Sequence, residues 1–270
     1  MSQPSRLVLN GYYRRPTDTA NNFTVTLPTQ ITNPKVMSIN SANIPFLCYN
    51  FGESESRFYF QTGASTNVNV VTLNTQKVYV GVSDFVTDFQ TLLRTVDANL
   101  TVTVGADGRM SIASTTKINV IGIENREYNW NATYYNNCAL RLGFYNASPV
   151  PMTTVPVNTL VTGTGSLTLV RTTCFYVCID AIAGDSFTSN SPEQCVSTIL
   201  FQMPVTNATF GALNAYYSQE YLLFQAKDLP YSIYNVNVRI LDDNFDDLDL
   251  LPSAKVLVEL SFKYDDRVAP

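Results

Sequence analysis

The sequence of 270 residues contains no histidine. This absence excludes Ser-His-Asp and Cys-His nucleophile systems and histidine metal sites, because each needs an imidazole as base or ligand. There is no Walker A pattern, and "GTGSLT" (163–168) has only the first two glycines of a dinucleotide fingerprint. We therefore expect no catalytic, cofactor-binding or metal-ligating residues, and no enzymatic activity. Paired carboxylates stay open as a route to glycoside hydrolysis, because the two acids can be distant in sequence.

Charged residues are scarce. They make up 14% of the chain, against about 25% in an average soluble protein. The 17 basic and 22 acidic side chains give a net charge of −5, so we expect no direct nucleic-acid binding through a broad basic face. Hydrophobic residues make up 45% of the chain, which is enough for a sizeable core. The surface is therefore expected to consist largely of neutral Thr, Asn and Ser side chains.

Long apolar runs are missing as well. No stretch of about 18 uncharged apolar residues occurs, and the N-terminal segment does not have the pattern of a signal peptide. We expect a soluble, non-secreted protein without membrane insertion. The odd number of cysteines indicates a reducing compartment and free thiols. Cys174 and Cys178 would lie roughly 13 Å apart on a strand, which favours small buried hydrophobes over a metal pair. The other three cysteines are Cys48, Cys138 and Cys195.

Period-two alternation of apolar and polar residues is the main pattern that is present. In "KVLVELSFKY" (255–264), Val256, Val258, Leu260 and Phe262 alternate with polar residues, which predicts a strand with one buried face. The number of such segments predicts an all-β protein with two packed antiparallel sheets. The other predicted strands are "FTVTL" (23–27), "RFYFQ" (57–61), "SLTLV" (166–170), "FYVCI" (175–179), "STILFQM" (197–203), "YLLFQA" (221–226) and "VNVRI" (236–240).

One stretch departs from this alternation. "GVSDFVTDFQTLLRTVDANL" (81–100) has apolar residues at helical spacing and predicts an amphipathic helix with Ser83 as its N-cap. A Gly-Ala-Asp-Gly turn then predicts a hairpin within residues 100–114. A second short helix is predicted to end in "NNCALRLGF" (136–144). The Pro, Thr and Gly residues of 147–165 predict a long exposed loop.

The acidic run "DDNFDDLDL" (242–250) is a candidate calcium site. Asp242, Asn244 and Asp246 have the spacing of the first ligands of an EF-hand loop. However, Asp247 stands where that loop needs glycine, and Ser253 stands where it needs a bidentate glutamate. The pattern therefore favours a solvated, exposed turn between two strands.

The order of several segments resembles the penton and minor capsid proteins of virophages, Polinton-like viruses and related large icosahedral DNA viruses. The resemblance spans about residues 20 to 264. The segments that carry it are "FTVTLP" (23–28), "VMSINSANIPFLCYNF" (36–51), "FVTDFQTLL" (85–93), "CALRLGF" (138–144), "ILFQMPV" (199–205), "VNVRILDDNFDDLDL" (236–250) and the last alternating strand.

The resemblance implies one jelly-roll domain over residues 1–270, and the helix and hairpin of 76–145 would be an insertion within it. It also implies a penton subunit that assembles as a homopentamer at the five-fold vertices of a virion, among capsomers of the major capsid protein, after synthesis inside the host cell. Pro45 would end its strand and turn the chain from one sheet edge towards the next, which would return "RFYF" (57–60) to the jelly roll.

A receptor- or glycan-binding β-module, acting as a spike or cementing component of a capsid, is the alternative. Such a module is expected to expose aromatic residues in a shallow site. The one aromatic cluster of this kind consists of Tyr128, Trp130, Tyr134 and Tyr135. Local packing is the competing explanation for it, because aromatic residues dominate protein cores as well as interfaces.

Overall fold

The computed structural model describes residues 6–122, 133–179, 187–188, 195–196, 199–217, 225–226, 229, 232–243 and 245–264. Its one helix in these residues is α1 (Val82–Arg94), besides 3-10 turns at Gly11–Tyr13 and Glu53–Glu55. The strands are β1 (Arg6–Asn10), β2 (Asn22–Thr32), β3 (Val36–Pro45), β4 (Arg57–Thr62), β5 (Asn69–Thr72), β6 (Thr101–Val104), β7 (Arg109–Ala113), β8 (Ile118–Val120), β9 (Leu160–Ser166), β10 (Cys174–Ile179), β11 (Phe187–Thr188), β12 (Cys195–Val196), β13 (Ile199–Pro204), β14 (Leu213–Tyr217), β15 (Gln225–Ala226), β16 (Ser232–Leu241) and β17 (Leu257–Lys263).

The chain forms two compact units. The first, which we call the sandwich unit, consists of Met1–Cys48 and Thr172–Pro270. The second, which we call the inserted unit, consists of Tyr49–Arg171. The predicted insertion 76–145 lies entirely within the inserted unit. One continuous segment of chain therefore builds the whole inserted unit. In the sequence, this segment lies between β3 and β10 of the sandwich unit.

The sandwich unit contains two antiparallel sheets of four main strands each. The first sheet has the order β1-β17-β3-β14, with β15 also paired to β3, and the second has the order β13-β10-β16-β2. Counted along the chain, the first sheet takes main strands one, three, six and eight, and the second takes the other four. This exchange between sheets is the jelly-roll topology. The predicted all-β jelly roll is confirmed.

Alternation along the strands builds the core of the sandwich unit. Val258, Leu260 and Phe262 of β17 are buried, as their spacing predicts. Phe201 of the second sheet contacts Tyr216 of the first sheet, and their ring centroids are 4.1 Å apart. Full burial of each such side chain contributes about 1.5–3 kcal/mol to folding. The hydrophobic effect therefore closes the two sheets on each other.

Pro45 is the last residue of β3, so the prediction that it ends a strand is confirmed. The prediction that "RFYF" returns to the jelly roll is wrong. These residues belong to β4, which pairs with β5 and β8 inside the inserted unit. Both faces of β4 are largely buried, and both of its partner strands come from the same inserted segment. The strand can therefore satisfy its hydrogen bonds locally.

An aromatic core holds the inserted unit together. The predicted amphipathic helix is confirmed as α1, which buries Phe85, Phe89 and Leu93. Its N-cap is Gly81, and Ser83 lies inside the first turn. The hairpin prediction is confirmed by the pairing of β6 with β7. The phenylalanines of this core are fully buried: Phe51, Phe58, Phe60, Phe85, Phe89 and Phe144.

Three sequence predictions fail in the inserted unit. The segment that ends at Phe144 forms consecutive turns and no helix, because Asn136 and Gly143 adopt positive φ angles of 56° and 86°. The predicted strand 166–170 is wrong beyond Ser166, where β9 ends. The predicted loop 147–165 is wrong from Leu160 onward, because those residues form β9 along β7. In β9, hydrogen bonds to β7 outweigh the low strand propensity of its two glycines.

Candidate assembly surfaces

The outer face of the first sheet carries a network of small polar side chains. Glu259 lies near its centre and accepts hydrogen bonds from Ser41 Oγ at 3.2 Å and Asn40 Nδ2 at 3.4 Å. Ser261 Oγ donates to Asn40 Oδ1 at 2.7 Å, and Arg6 Nη1 lies 3.7 Å from a Glu259 oxygen. The carboxylate thus has its partners within its own subunit. This leaves a surface of short, mostly neutral side chains.

One edge of this sheet exposes a group of apolar side chains. We define the β1 flank as Val8, Tyr12 and Tyr13 together with Lys255. The exposed fractions are 59% for Val8, 58% for Tyr12 and 80% for Tyr13. The two tyrosine rings meet edge to face at 5.2 Å, and Lys255 Nζ lies 4.7 Å from the centroid of the Tyr12 ring. The flank is therefore both aromatic and basic.

The turn that presents the β1 flank is held by specific contacts. Asn10 Oδ1 accepts a hydrogen bond from Tyr12 N at 2.9 Å. Arg14 donates to the carbonyl of Gly11 at 2.9 Å and also to the carbonyl of Pro252. A Cβ on Gly11 would lie 3.1 Å from the ring of Phe23, so glycine allows a close approach to the core. Tyr12 and Tyr13 are thus fixed on a packed support.

The opposite edge of the same sheet exposes a second apolar group. We define the β14 flank as Phe210, Leu213 and Tyr217, whose exposed fractions are 40%, 60% and 69%. Leu213 and Tyr217 point away from the core, because they alternate with the inward residues Asn214 and Tyr216. No charged residue occurs within 205–217. The β14 flank is therefore apolar and neutral.

Asn214 organises the loop that leads to the β14 flank. It is 1% exposed, and its Oδ1 accepts hydrogen bonds from the backbone N–H groups of Thr206 and Asn207, both at 2.9 Å. Its Nδ2 donates to the carbonyl of Asn207 at 3.0 Å. The Asn214 side chain thus supplies the hydrogen bonds that these backbone groups would otherwise make with other backbone groups. Phe210 is thereby held next to the strand.

The acidic loop 242–250 follows β16 in the second sheet and is only partly exposed. Asp242 is 3% exposed, which corrects the prediction of an exposed turn. Its Oδ1 accepts a hydrogen bond from Asp246 N at 3.1 Å. Phe245 packs on Tyr176 with ring centroids 4.7 Å apart, and its φ is 63°. A positive φ is unfavourable for a bulky residue such as phenylalanine. The packing of Phe245 on Tyr176 compensates for this strain and holds the loop against the sheet.

Side chains of the same loop also bind neighbouring strands. Arg239 Nη2 lies 3.1 Å from Asp247 Oδ1. Asp243 Oδ2 accepts hydrogen bonds from Thr173 N at 2.7 Å and from Thr173 Oγ1 at 2.9 Å. Together with Asp242, three of the acidic side chains are thus used in structural contacts. In the described part of the chain, no group of three or more Cys, Asp or Glu residues could hold a metal ion. The absence of a high-affinity calcium site stays a prediction, because Asn244 lies outside that part.

A largely buried arginine joins both ends of the inserted unit. The Arg141 side chain is 13% exposed, and its Nη1 lies 2.7 Å from Glu55 Oε2. Its Nη2 donates to the carbonyls of Asn50 at 3.0 Å and Val170 at 3.1 Å. The guanidinium also lies 5.5 Å from the centroid of the Phe51 ring. Arg141 therefore ties the first residues of the unit to its last residues.

Asn50 completes this closure. Its Nδ2 donates to the carbonyl of Leu169 at 2.8 Å, and its Oδ1 accepts from Tyr79 N. Burial, followed by the Asp88 carboxylate, raises the pKa of Tyr79 to about 12. The Tyr79 hydroxyl thus remains protonated at neutral pH and donates to Asp88 Oδ2 at 3.2 Å. These contacts are structural.

The aromatic cluster considered for glycan binding lies only partly within the described residues. Tyr128 and Trp130 lie outside them. Tyr134 packs edge to face on Tyr59 at 5.2 Å. Tyr135 is 44% exposed, and the Arg57 guanidinium lies 4.1 Å from the centroid of its ring. The two described tyrosines are thus engaged in packing and cation–π contacts.

Four described cysteines are buried, and no disulfide joins any two of them: Cys48, Cys138, Cys174 and Cys178. The prediction that Cys174 and Cys178 are buried is confirmed, and the prediction that they bind no metal stays a prediction. Burial raises the pKa of the Cys138 thiol well above its usual range, and it also raises the pKa of Cys174. Cys195 lies outside the residues whose side chains the structure describes.

We expect these four thiols to resist alkylation in the native protein, because all four are buried and because burial disfavours the reactive thiolate of Cys138 and Cys174. Iodoacetamide labelling followed by mass spectrometry, with and without urea, measures this. None of the four should be labelled in the native protein. All four should be labelled after unfolding in urea, with no reductant present. Rapid native labelling of Cys138 would contradict the prediction. So would an intramolecular disulfide among the four.

No helix in the described residues is long and apolar enough to span a membrane. The helix α1 has 13 residues, whereas a membrane-spanning helix needs about 20.

The sequence predictions did not include either flank. β1 has one weak signal, the period-two spacing of Leu7 and Leu9 in "RLVLN", but Val8 between them is also apolar. The aromatic and basic residues of "NGYYRR" (10–15) are visible in the sequence, but their place depends on the pairing of β1 with β17. The β14 flank has no local signal, because nothing in "LNAYY" (213–217) indicates an edge strand.

Comparison with known proteins gives matches in structure and none in sequence. No protein-family model matches the chain, and no curated protein matches it. The structure matches the mavirus penton protein over 96% of this chain and 98% of that chain, with a TM-score of 0.53 and 11% identity. A chain from the cryo-EM structure of the Sputnik virophage matches over 96% and 98% of the two chains, with a TM-score of 0.43 and 13% identity. Over nearly its whole length, this chain has the fold of the mavirus penton protein.

Proposed function

We propose that the protein is a capsid structural protein that forms a homopentamer at the five-fold vertices of an icosahedral virus particle. The observation that carries the proposal is the fold that it shares with the mavirus penton protein over 96% of this chain and 98% of that chain. The jelly roll and the inserted unit together account for that length. A penton subunit needs a domain that forms part of the capsid shell and surfaces that close a ring of five copies.

The surface of the sandwich unit supports assembly. The outer face of the first sheet has short polar side chains, and its one carboxylate is already bonded within the subunit. Such a face can approach a neighbour without leaving a charge buried and unpaired, which would be costly. A closed ring of five copies also needs two different patches on each subunit. Its two apolar flanks meet that requirement.

The partners in this function are other copies of the chain and the major capsid protein capsomers around each vertex. Its location is the virion. The proposed role requires no catalysis, and no hydrolase activity is expected, in keeping with the absence of histidine. Turnover on a glycan panel that is abolished by a single Asp or Glu substitution would contradict this part of the proposal.

Native mass spectrometry of the purified protein and electron microscopy of particles test the proposed assembly. We expect a species of five copies in solution at high protein concentration, and density for this chain on the five-fold axes of particles. Pentamers can be weak in isolation, because neighbouring capsomers also stabilise them in a shell. A stable dimer or trimer, with no density for the chain on the five-fold axes, would contradict the vertex assignment.

A further inference from the structure

We propose that neighbouring copies of this protein bind through the β1 flank of one copy and the β14 flank of the next. This inference depends on the proposed function, because it assigns the two surfaces that close the proposed ring. It concerns the sandwich unit alone.

The distribution of exposed apolar residues is the first argument. Among the described residues of the sandwich unit, seven large apolar side chains are strongly exposed, and six of them belong to the two flanks. The seventh is Tyr234 on β16. In the order β1-β17-β3-β14, the two flanks stand at opposite ends of one sheet. Exposed apolar groups gathered in two places mark interaction sites, whereas scattered ones need no explanation.

The character of the edge strands is the second argument. Soluble proteins usually protect exposed sheet edges with charged side chains, proline or bulges. β14 has the sequence "LNAYY", with no charge and no proline, and its pairing with β3 is regular. Such an edge is predicted to associate unless another chain covers it. Within the part of the chain that the structure describes, no strand pairs with the outer edge of β14, so we assign the neutral β14 flank a partner in the assembled protein.

Charge decides which partner fits. The β1 flank and its surroundings contain four cations, Arg6, Arg14, Arg15 and Lys255, and two carboxylates, Asp18 and Glu259, so their net charge is +2. Two β1 flanks facing each other would place like charges together, which opposes a self-complementary contact. The β14 flank has no charge within residues 205–217. Its Phe210 and Tyr217 rings are suitable cation–π acceptors for lysine or arginine.

The size and rigidity of the flanks support the same pairing. Fully buried aromatic residues remove 150–250 Å² each from solvent, so Val8, Tyr12 and Tyr13 offer roughly 350 Å² of the ~800 Å² that each partner buries in a standard interface. Lys255 and the backbone of the edge strands can add further buried area to this contact. Asn10 and Asn214 hold the two flanks in place through the hydrogen bonds described above. Rigid surfaces lose less entropy when they bind.

Because the two flanks differ, their contact is heterologous and repeats from copy to copy. Such a contact forms a closed ring when its rotation closes. Five-fold closure of this contact would give the proposed pentamer. Each copy would then use one β1 flank and one β14 flank.

Cysteine cross-linking tests the contact. The single variants Tyr13→Cys and Leu213→Cys are mixed in equal amounts and treated with a short bismaleimide, in solution and in purified particles. We expect cross-linked dimers in the mixture and none in either variant alone. A Tyr13→Cys/Leu213→Cys double variant should give a ladder that ends at five copies. Tyr234→Cys is the matched control and should form no cross-link with either variant.

Three outcomes separate this inference from the proposed function. Dimers in the Tyr13→Cys sample alone would contradict the heterologous contact. Pentamers by native mass spectrometry with no cross-link in solution or in particles would contradict the contact and leave the vertex function intact. A ladder from the double variant that ends at another number would support the contact and contradict the pentamer.

Binding measurements provide a second test. Tyr13→Ser and Tyr217→Ser should each weaken assembly about tenfold, which corresponds to about 1.4 kcal/mol, because tyrosines are among the residues that contribute most when an interface buries them. Tyr234→Ser removes a ring that is 54% exposed and lies outside both flanks, and it should leave the assembly constant unchanged. Equal effects of all three variants would contradict the proposed contact.

Discussion

Replacement of Arg141 by alanine is expected to lower the free energy of unfolding by about 3–5 kcal/mol. The side chain is 13% exposed, and it lies 2.7 Å from the carboxylate of Glu55. Its loss would leave Glu55 largely buried without its cation. It would also remove the donor to the carbonyls of Asn50 and Val170. Urea unfolding followed by circular dichroism measures the change.

Arg109→Ala is the matched control in the same unit. Arg109 pairs with Asp107 at the surface, and both side chains are about half exposed. Exposed pairs of this kind contribute little to stability, because solvent and salt screen the two charges. We expect the two variants to differ by several kcal/mol. Equal losses would show that Arg141 does not connect the ends of the inserted unit as its contacts indicate.

Replacement of Gly143 by alanine is expected to cost about 4 kcal/mol or more, which is in the range that only severe steric or packing defects reach. Gly143 has a φ of 86°, and a Cβ at this position would lie 2.2 Å from the carbonyl oxygen of Gly165. That oxygen belongs to the backbone of β9, which pairs with β7 on both sides of Gly165, at Thr162 and at Ser166. The Gly165 N–H also donates to the carbonyl of Gly143 at 2.9 Å, which holds the two backbones close together. The substitution thus adds a steric clash to left-handed strain.

Gly63→Ala separates these two effects. Gly63 has a φ of 68°, but a Cβ at this position would have no other atom within 4 Å. Its substitution should cost only the left-handed strain of about 1–2 kcal/mol. The excess loss in Gly143→Ala then measures the clash with the strand. Similar losses in both variants, measured by the same urea unfolding, would contradict the close approach of Gly143 to β9.

Local patterns in the sequence were sufficient for several elements. The alternation in β17 and β16 placed their buried residues correctly, because in a strand successive side chains point to opposite faces. The helix α1 followed from apolar residues at helical spacing, and the hairpin β6–β7 followed from its turn. These features depend on neighbours within a few residues, which is the range that sequence periodicity reports.

Elements without a local apolar pattern were missed or misassigned. β9 reads as a loop, since its "TGTG" has no buried apolar face of its own. It becomes a strand because the backbone of β7 has an edge with which it can form hydrogen bonds. β4 was assigned to the wrong unit for a related reason: nothing within "RFYF" distinguishes a jelly-roll strand from a strand that pairs with β5 and β8.

The assembly surfaces and the Arg141 contacts show the same limit. The sequence by itself determined the all-β class, the scarcity of charge and the absence of histidine chemistry, because these follow from composition and short periodicity. Only the tertiary structure decided that Val8 and Leu213 stand on opposite edges of one sheet. It also decided that Arg141 meets Glu55, which is 86 positions away. Contacts between distant residues arise from strand order and chain crossings, and no local pattern of side chains encodes them.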